Sequence, residues 1–187
     1  EALHKEDKFF EKKKAETIFE KIKDKPAIAV SIETATQKVN PPVPFDLTSL
    51  QIEAYRVFKI NPKQTLEVAQ ELYTAAYISY PRTSSQKLPP QLNLKKVLTQ
   101  LAMQPDYAKL AQKVLSGNLK PNEGKKTDPA HPAIYPTGEI PKSLGAWQYK
   151  IYDLIVKRFF AVFGEAGERE TTLVTFDVER ELFILKG

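Results

Sequence analysis

The stretch Val39-Asn-Pro-Pro-Val-Pro-Phe45 separates two parts of the chain that favour different secondary structures. Its three prolines fix φ and lack a backbone N–H, so this segment excludes a helix and favours an extended path. Strand-forming residues precede it and return only at the end of the chain, whereas helical patterns fill the residues between. The stretch is therefore a predicted boundary between subdomains.

Before this boundary, a helical pattern is followed by an alternating one. Residues Glu11–Lys23 carry apolar side chains at helical spacing, with lysines and glutamates between them, which predicts an amphipathic helix that ends before Pro26. Residues Ala27–Thr36 alternate and predict a half-buried strand. The apolar face of that strand consists of Ile28, Val30 and Ile32.

Beyond the boundary, capping signals open two helices. Thr48-Ser-Leu-Gln51 fits a capping box for a helix that continues to about Phe58. Asn61 is a cap followed by proline at the first position of a helix over Lys63–Ala76. Periodicity and alternation predict three more helices and two closing strands, over Asn93–Gln104, Asp106–Leu115, Leu144–Phe163, Glu170–Val178 and Glu181–Lys186.

These elements predict an α+β fold that is mainly α. A helical domain over residues 44–166 is inserted between two segments of a β-containing domain, residues 1–43 and 167–187. The net charge of +5 modestly favours a polyanionic partner. The chain has no cysteine, which excludes disulfides and thiolate sites, and no apolar run of membrane-spanning length, so a cytoplasmic protein without a membrane partner is expected.

The loop after the second of the capped helices concentrates reactive side chains. Tyr80 can attack phosphorus and form a phosphotyrosine ester, and Arg82 can stabilise the charge that develops on phosphoryl oxygens. In an extended segment these two side chains would project to the same side. The hydroxyls of Thr83, Ser84 and Ser85 can donate to backbone phosphates. Tyr77 competes for the nucleophile's role but is expected to pack at the end of the helix.

A second polar segment runs from Asp128 to Thr137. Its His131 can donate to a phosphate or carry a proton, and Asp128 could orient that imidazole or cap a turn. His4 lies in a charged stretch and is expected to be solvated. Neither a metal-ligand cluster nor a glycine-rich phosphate loop is present in the sequence.

Together, these segments resemble the signatures of type IA DNA topoisomerases. YISYPRTSS resembles the family's active-site motif, and AHPAIYPT resembles its second motif, in the same order and at a similar separation. PPVPFDLTSLQIEA, LYTAAYISY and WQYKIYDLIVKRFFA resemble the family's flanking segments, so the resemblance covers nearly the whole chain. The residues of these segments resemble archaeal topoisomerase I and III sequences more than bacterial ones.

The resemblance implies roles for individual residues. Tyr80 would be the nucleophile that forms a 5′-phosphotyrosyl link with single-stranded DNA, and Arg82 would stabilise the transition state. His131, Thr83 and Ser85 would bind DNA or support the site. The family usually carries aspartate where this chain has Ser84, which leaves open what that carboxylate would contribute.

The resemblance also implies partners outside this sequence. The family's Toprim domain binds Mg²⁺ through acidic residues, and nothing like it occurs here, so the chain is expected to hold no metal. The chain would be a piece of a longer enzyme, comprising the helical domain with Tyr80 and part of a hinge domain. Alone, it would be inactive.

Three alternatives to the topoisomerase interpretation predict different features. A site-specific recombinase would carry its tyrosine near the chain end, whereas Tyr80 lies in the middle. A non-catalytic, basic, helical nucleic-acid-binding module would bind DNA regardless of Tyr80. A structural interaction domain would bind no DNA.

Overall fold

A computed structural model describes residues 1–187 as two compact units. The sheet unit comprises Glu1–Val39 and Gly167–Gly187, and the helical unit comprises Asn40–Ala166. Helices together with one four-stranded antiparallel sheet confirm the α+β fold class. The predicted first boundary lay at residues 43 and 44, a few residues beyond the point where the two units divide.

The sheet unit is built from four strands and one helix, in the sheet order β1-β4-β3-β2. In chain order these are β1 (Leu3–His4), α1 (Lys12–Ile22), β2 (Ile28–Val39), β3 (Gly167–Val178) and β4 (Glu181–Lys186). β2 and β3 are longer than predicted because they pair with each other as far as Val39 and Gly167. The predicted reversal between β3 and β4 is confirmed, since Glu179 and Arg180 both have positive φ angles, which match a tight hairpin turn.

Two expectations for the sheet unit were wrong. The apolar face of β2 is exposed, with 63% exposure at Ile28 and 68% at Ile32, because α1 buries none of its residues and leaves that face uncovered. His4 is partly buried, not solvated. Its ring lies 5.2 Å from that of Phe183, and its Nε2 lies 3.3 Å from Glu181. The β1 pairing that holds His4 covers two residues, too few for periodicity to reveal.

The helical unit contains the five predicted helices, with ends that differ by at most two residues. They are α2 (Leu47–Phe58), α3 (Pro62–Thr74), α4 (Leu94–Ala102), α5 (Ala108–Leu115) and α6 (Ala146–Ala161). α6 is the most buried helix because its apolar residues recur on more than one face. Its buried residues are Ile151, Tyr152, Ile155, Val156, Phe159 and Phe160. No helix of the chain is long and apolar enough to cross a bilayer.

The start of α2 differs from the prediction. Its cap is Asp46, not Thr48: the Asp46 carboxylate accepts from Ser49 N at 2.7 Å, and Ser49 Oγ accepts from Asp46 N at 3.0 Å. The capping box is therefore displaced by two residues, because aspartate and serine satisfy the same donors as threonine and glutamine. The Asn61 cap of α3 is confirmed by a 2.9 Å bond from Gln64 N.

Candidate active site

The end of α3 directs the chain into the loop that contains Tyr80. Ala76 has a left-handed φ of 62°, and the N–H groups of Ala76 and Tyr77 both donate to carbonyls in the last turn of the helix. Glycine usually occupies such a position, so residue type gave no signal for this helix end. Tyr77 packs against the core with its ring 6.4 Å from that of Tyr152, as expected.

Two loops lie side by side beyond this point: the tyrosine loop, residues 78–88, and the histidine loop, residues 124–137. Ser79 N donates to the carbonyl of Tyr135 at 2.9 Å, and Ser79 Oγ accepts from Tyr135 N at 3.0 Å. At the other end, Gln86 bonds through its N–H and its carbonyl to the backbone of the histidine loop. The two polar segments singled out in the sequence therefore form one surface.

Asp46 ties both loops to the start of α2. Its side chain is 2% exposed and also accepts from Gln86 Nε2 at 3.1 Å and from Lys126 Nζ at 3.0 Å. Burial acts to raise the pKa of Asp46, but the hydrogen bonds from Ser49 and Lys126 and the lysine charge outweigh it, so this pKa lies below the usual value. The cap of α2 is thus also a support of the site.

Tyr80 lies between two other rings. Its ring centroid is 4.5 Å from that of His131 and 5.2 Å from that of Tyr73 on α3, which it meets nearly edge-on. Tyr80 and His131 are both half-buried. The structure therefore brings together the two residues that the sequence analysis placed at the centre of the two segments.

Arg82 is exposed and lines an open cleft of about 710 Å³ along α3. It forms no salt bridge, so its charge is free for a ligand. The segment from Tyr80 to Arg82 is not extended as assumed, because Thr83 N donates to the carbonyl of Pro81 at 3.0 Å and bends the chain at Arg82.

Thr83 and Ser85 are almost fully buried, with 5% and 3% exposure. Thr83 Oγ1 donates to the carbonyl of His131 at 3.2 Å and accepts from Ser85 N at 3.0 Å. Ser85 Oγ accepts from Lys87 N at 3.2 Å. Both hydroxyls are thus engaged in holding the backbone of the loops.

Comparison with known proteins shows the family to which the chain belongs. A family model described as DNA topoisomerase matches residues 1–187. The chain belongs to this family of DNA topoisomerases. This confirms the resemblance to the type IA enzymes.

The relatives include archaeal and eukaryotic topoisomerases. The chain is 49% identical to DNA topoisomerase 1 of Methanocaldococcus jannaschii over 100% of the chain and 25% of that protein, and 46% identical to DNA topoisomerase 1 of Pyrococcus horikoshii over 28% of that protein. It is 33% identical to human DNA topoisomerase 3-alpha over 89% of the chain and 17% of that protein. The chain thus spans about a quarter of the archaeal topoisomerases.

A solved topoisomerase structure has the same fold. Full-length topoisomerase I of Thermotoga maritima superposes with a TM-score of 0.65 at 24% identity, over 99% of this chain and 31% of that one. That likeness supports the fold alone. The part of it matched by this chain is a minor portion of a larger topoisomerase.

Ser84, where this chain departs from the topoisomerase signature, bonds to Asp128. The Asp128 carboxylate accepts from Ser84 N and Oγ and from the N–H groups of Ala130 and His131. These bonds lower the pKa of Asp128 to about 2, and the bond from Ala130 N has the largest effect. Of the two roles considered for Asp128, capping the turn before His131 is the one that the structure shows.

Three supporting residues were not identified from the sequence: Asp46, Tyr73 and Ser79. Asp46 could have been found as an alternative cap two residues before Thr48. The roles of Tyr73 and Ser79 depend on tertiary contacts that no local pattern encodes.

A magnesium site does not fit the residues of this chain. No group of three or more His, Asp or Glu side chains is arranged to hold a metal ion. No step at this site is therefore derived through a metal.

Proposed function

We propose that this chain is the tyrosine-bearing part of a longer type IA DNA topoisomerase. The observation that carries the proposal is the contact between Tyr80 and His131, whose rings lie 4.5 Å apart although they come from two separate signature segments. A phenol beside an imidazole, with an unpaired guanidinium two residues along the same loop, can perform phosphoryl transfer on a DNA strand.

In the proposed reaction, the Tyr80 oxygen attacks a backbone phosphorus of single-stranded DNA. A bond forms between that oxygen and phosphorus, the bond from phosphorus to the 3′ oxygen breaks, the phenol loses its proton, and the 3′ oxygen gains one. The product is a 5′-phosphotyrosine and a free 3′-hydroxyl. After another strand has passed through the break, the reverse step rejoins the DNA, and no nucleotide is consumed because one phosphodiester replaces another.

The surrounding residues support this step in different ways. Arg82 is exposed and free of carboxylate partners, so it can stabilise the charge on the transferring phosphoryl group. His131 can donate to a phosphate beside Tyr80. Thr83 and Ser85 act on DNA through the loop that their hydroxyls hold in place.

The longer enzyme would supply what this chain does not hold. We propose that Mg²⁺ is bound by a Toprim domain outside these residues, and that this chain alone does not cleave DNA. We propose that the enzyme acts in the cytoplasm, in association with DNA.

The proposal is tested by trapping the covalent intermediate. The full-length parent enzyme is incubated with Mg²⁺ and single-stranded DNA labelled at its 3′ end, so that the label follows the phosphotyrosine, and is then denatured. We expect labelled protein with the wild type and with Tyr77→Phe, and none with Tyr80→Phe.

Two results would count against the proposal. Adducts that survive Tyr80→Phe would assign the nucleophile elsewhere. DNA binding without adducts in any variant would favour a non-catalytic nucleic-acid-binding module, which the basic charge of the chain also permits.

A further inference from the structure

The Asp128 carboxylate connects the two loops of the candidate site with one oxygen for each loop. Oδ2 accepts from Ser84 N at 3.3 Å and from Ser84 Oγ at 3.2 Å, on the tyrosine loop. Oδ1 accepts from Ala130 N at 2.9 Å and from His131 N at 3.0 Å, on the histidine loop. All four donors are uncharged, and Asp128 forms no salt bridge.

The peptide groups of His131 are consequently held on both sides. The N–H of His131 donates to Asp128, and its carbonyl accepts from Thr83 Oγ1 at 3.2 Å. Thr83 and Ser84 are adjacent in the tyrosine loop. Thr83 bonds to His131 directly, and Ser84 bonds to the Asp128 carboxylate that also accepts from His131 N. This arrangement fixes the backbone that carries the imidazole, which lies 4.5 Å from the ring of Tyr80.

We propose that Asp128 is a positioning residue for Tyr80, acting through Ser84 and His131. This inference deepens the proposed function and rests on it. Ser84 donates an N–H and a hydroxyl to the Asp128 carboxylate. These two bonds hold the loops together only while Asp128 is the single negative charge between them. A second carboxylate at position 84 would face Asp128 at hydrogen-bond distance, where like charges repel.

The test is a double-mutant cycle in the full-length parent enzyme. Asp128→Asn keeps the acceptor for Ala130 and His131 but replaces the acceptor for Ser84 N with an amide donor. Ser84→Asp introduces the second carboxylate. In the double variant, the amide introduced at position 128 can donate to the carboxylate introduced at position 84. The bond between the loops is then restored, with its single negative charge at position 84 instead of position 128.

The primary readout is the rate of adduct formation at saturating DNA in a single turnover, with the DNA dissociation constant measured separately. We expect a decrease of about tenfold for Asp128→Asn and of about thirtyfold for Ser84→Asp, with little change in DNA affinity. The double variant should recover to within about threefold of the wild type, since the two changes are coupled. Ser143→Asp and Asp106→Asn are matched controls in the same unit and outside both loops.

Hydrogen exchange of the same full-length proteins gives a readout independent of chemistry. Peptides that span residues 82–88 and 128–134 should exchange about tenfold faster in both single variants and regain protection in the double variant. A Ser84→Asp enzyme as fast as the wild type, or a double variant slower than either single one, would overturn the inference.

Failure of the inference and failure of the proposed function give different results. If the wild type forms no adduct on Tyr80, the proposed function fails, and positioning for catalysis fails with it. If adducts form on Tyr80 but neither loop changes its exchange in Asp128→Asn, the proposed function stands and Asp128 has no positioning role.

Discussion

The helical unit and the sheet unit achieve order in different ways. Every buried residue of the chain except Val178 lies in the helical unit, whose core includes Leu50, Leu98 and Ile151 at 0% exposure. The sheet unit relies on a long backbone pairing between β2 and β3, and one face of β2 is exposed. Alternation of apolar and polar residues therefore predicted a strand without predicting what covers it, whereas helical periodicity predicted both the helices and their buried core.

The two units should differ most in how much stability they lose when a large apolar side chain is truncated. Ile151→Ala removes a fully buried side chain and should lower the free energy of unfolding by about 4 kcal/mol, because it leaves a cavity in a packed interior. Ile32→Ala makes the same chemical change at 68% exposure in the sheet unit and should cost less than about 1 kcal/mol. Urea unfolding of the two variants measures both values. Equal losses would show that the face of β2 is covered in solution.

The next effect concerns function, which the proposal places in the helical unit alone. Arg82→Ala in the full-length enzyme should lower the rate of DNA cleavage about a hundredfold, because a charge that stabilises the transition state is lost. Arg169→Ala removes the same charge from the sheet unit, and its rate should stay within about twofold of the wild type. Single-turnover cleavage distinguishes the two variants. A comparable decrease in the cleavage rate of Arg169→Ala would show that the functional surface also includes β3.

The prediction from sequence succeeded where one local pattern was sufficient. The helices of both units and the two long strands followed from spacing and capping signals. Tyr80 and His131, which their chemistry and the resemblance of their segments singled out, lie next to each other in the structure, and their roles stay predictions. The cap at Asp46 was misplaced because neighbouring polar residues offer equivalent caps. The burial of Thr83 and Ser85 and the contact of Tyr73 with Tyr80 depend on which loops meet, and that is decided by tertiary packing.

A smaller effect tests the link between α2 and the two loops. Asp46→Asn should lower the free energy of unfolding by about 2 kcal/mol at pH 7, because it weakens a cap and leaves buried donors poorly paired. The pKa of Asp46 in the folded chain is below its usual value of 3.8, so its stabilisation is present above that pH and is lost as the pH falls through the folded value. Unfolding at pH 7 and at about pH 3 should therefore show a difference between variant and wild type that shrinks in acid. A difference independent of pH would mean that the charge of Asp46 contributes nothing.

The smallest effect concerns the sheet unit, where the carboxylate of Glu181 meets Lys21 and His4. The hydrogen bond from Lys21, more than the one from His4, lowers the pKa of Glu181. Glu181→Gln should nonetheless cost less than about 1 kcal/mol, since partly exposed ion pairs are screened by water and salt. The loss should shrink further in about 1 M salt, where screening acts over a few ångströms. A larger and salt-independent loss would show that β1 and α1 depend on this carboxylate, and that the sheet unit has a polar anchor comparable to Asp46 in the helical unit.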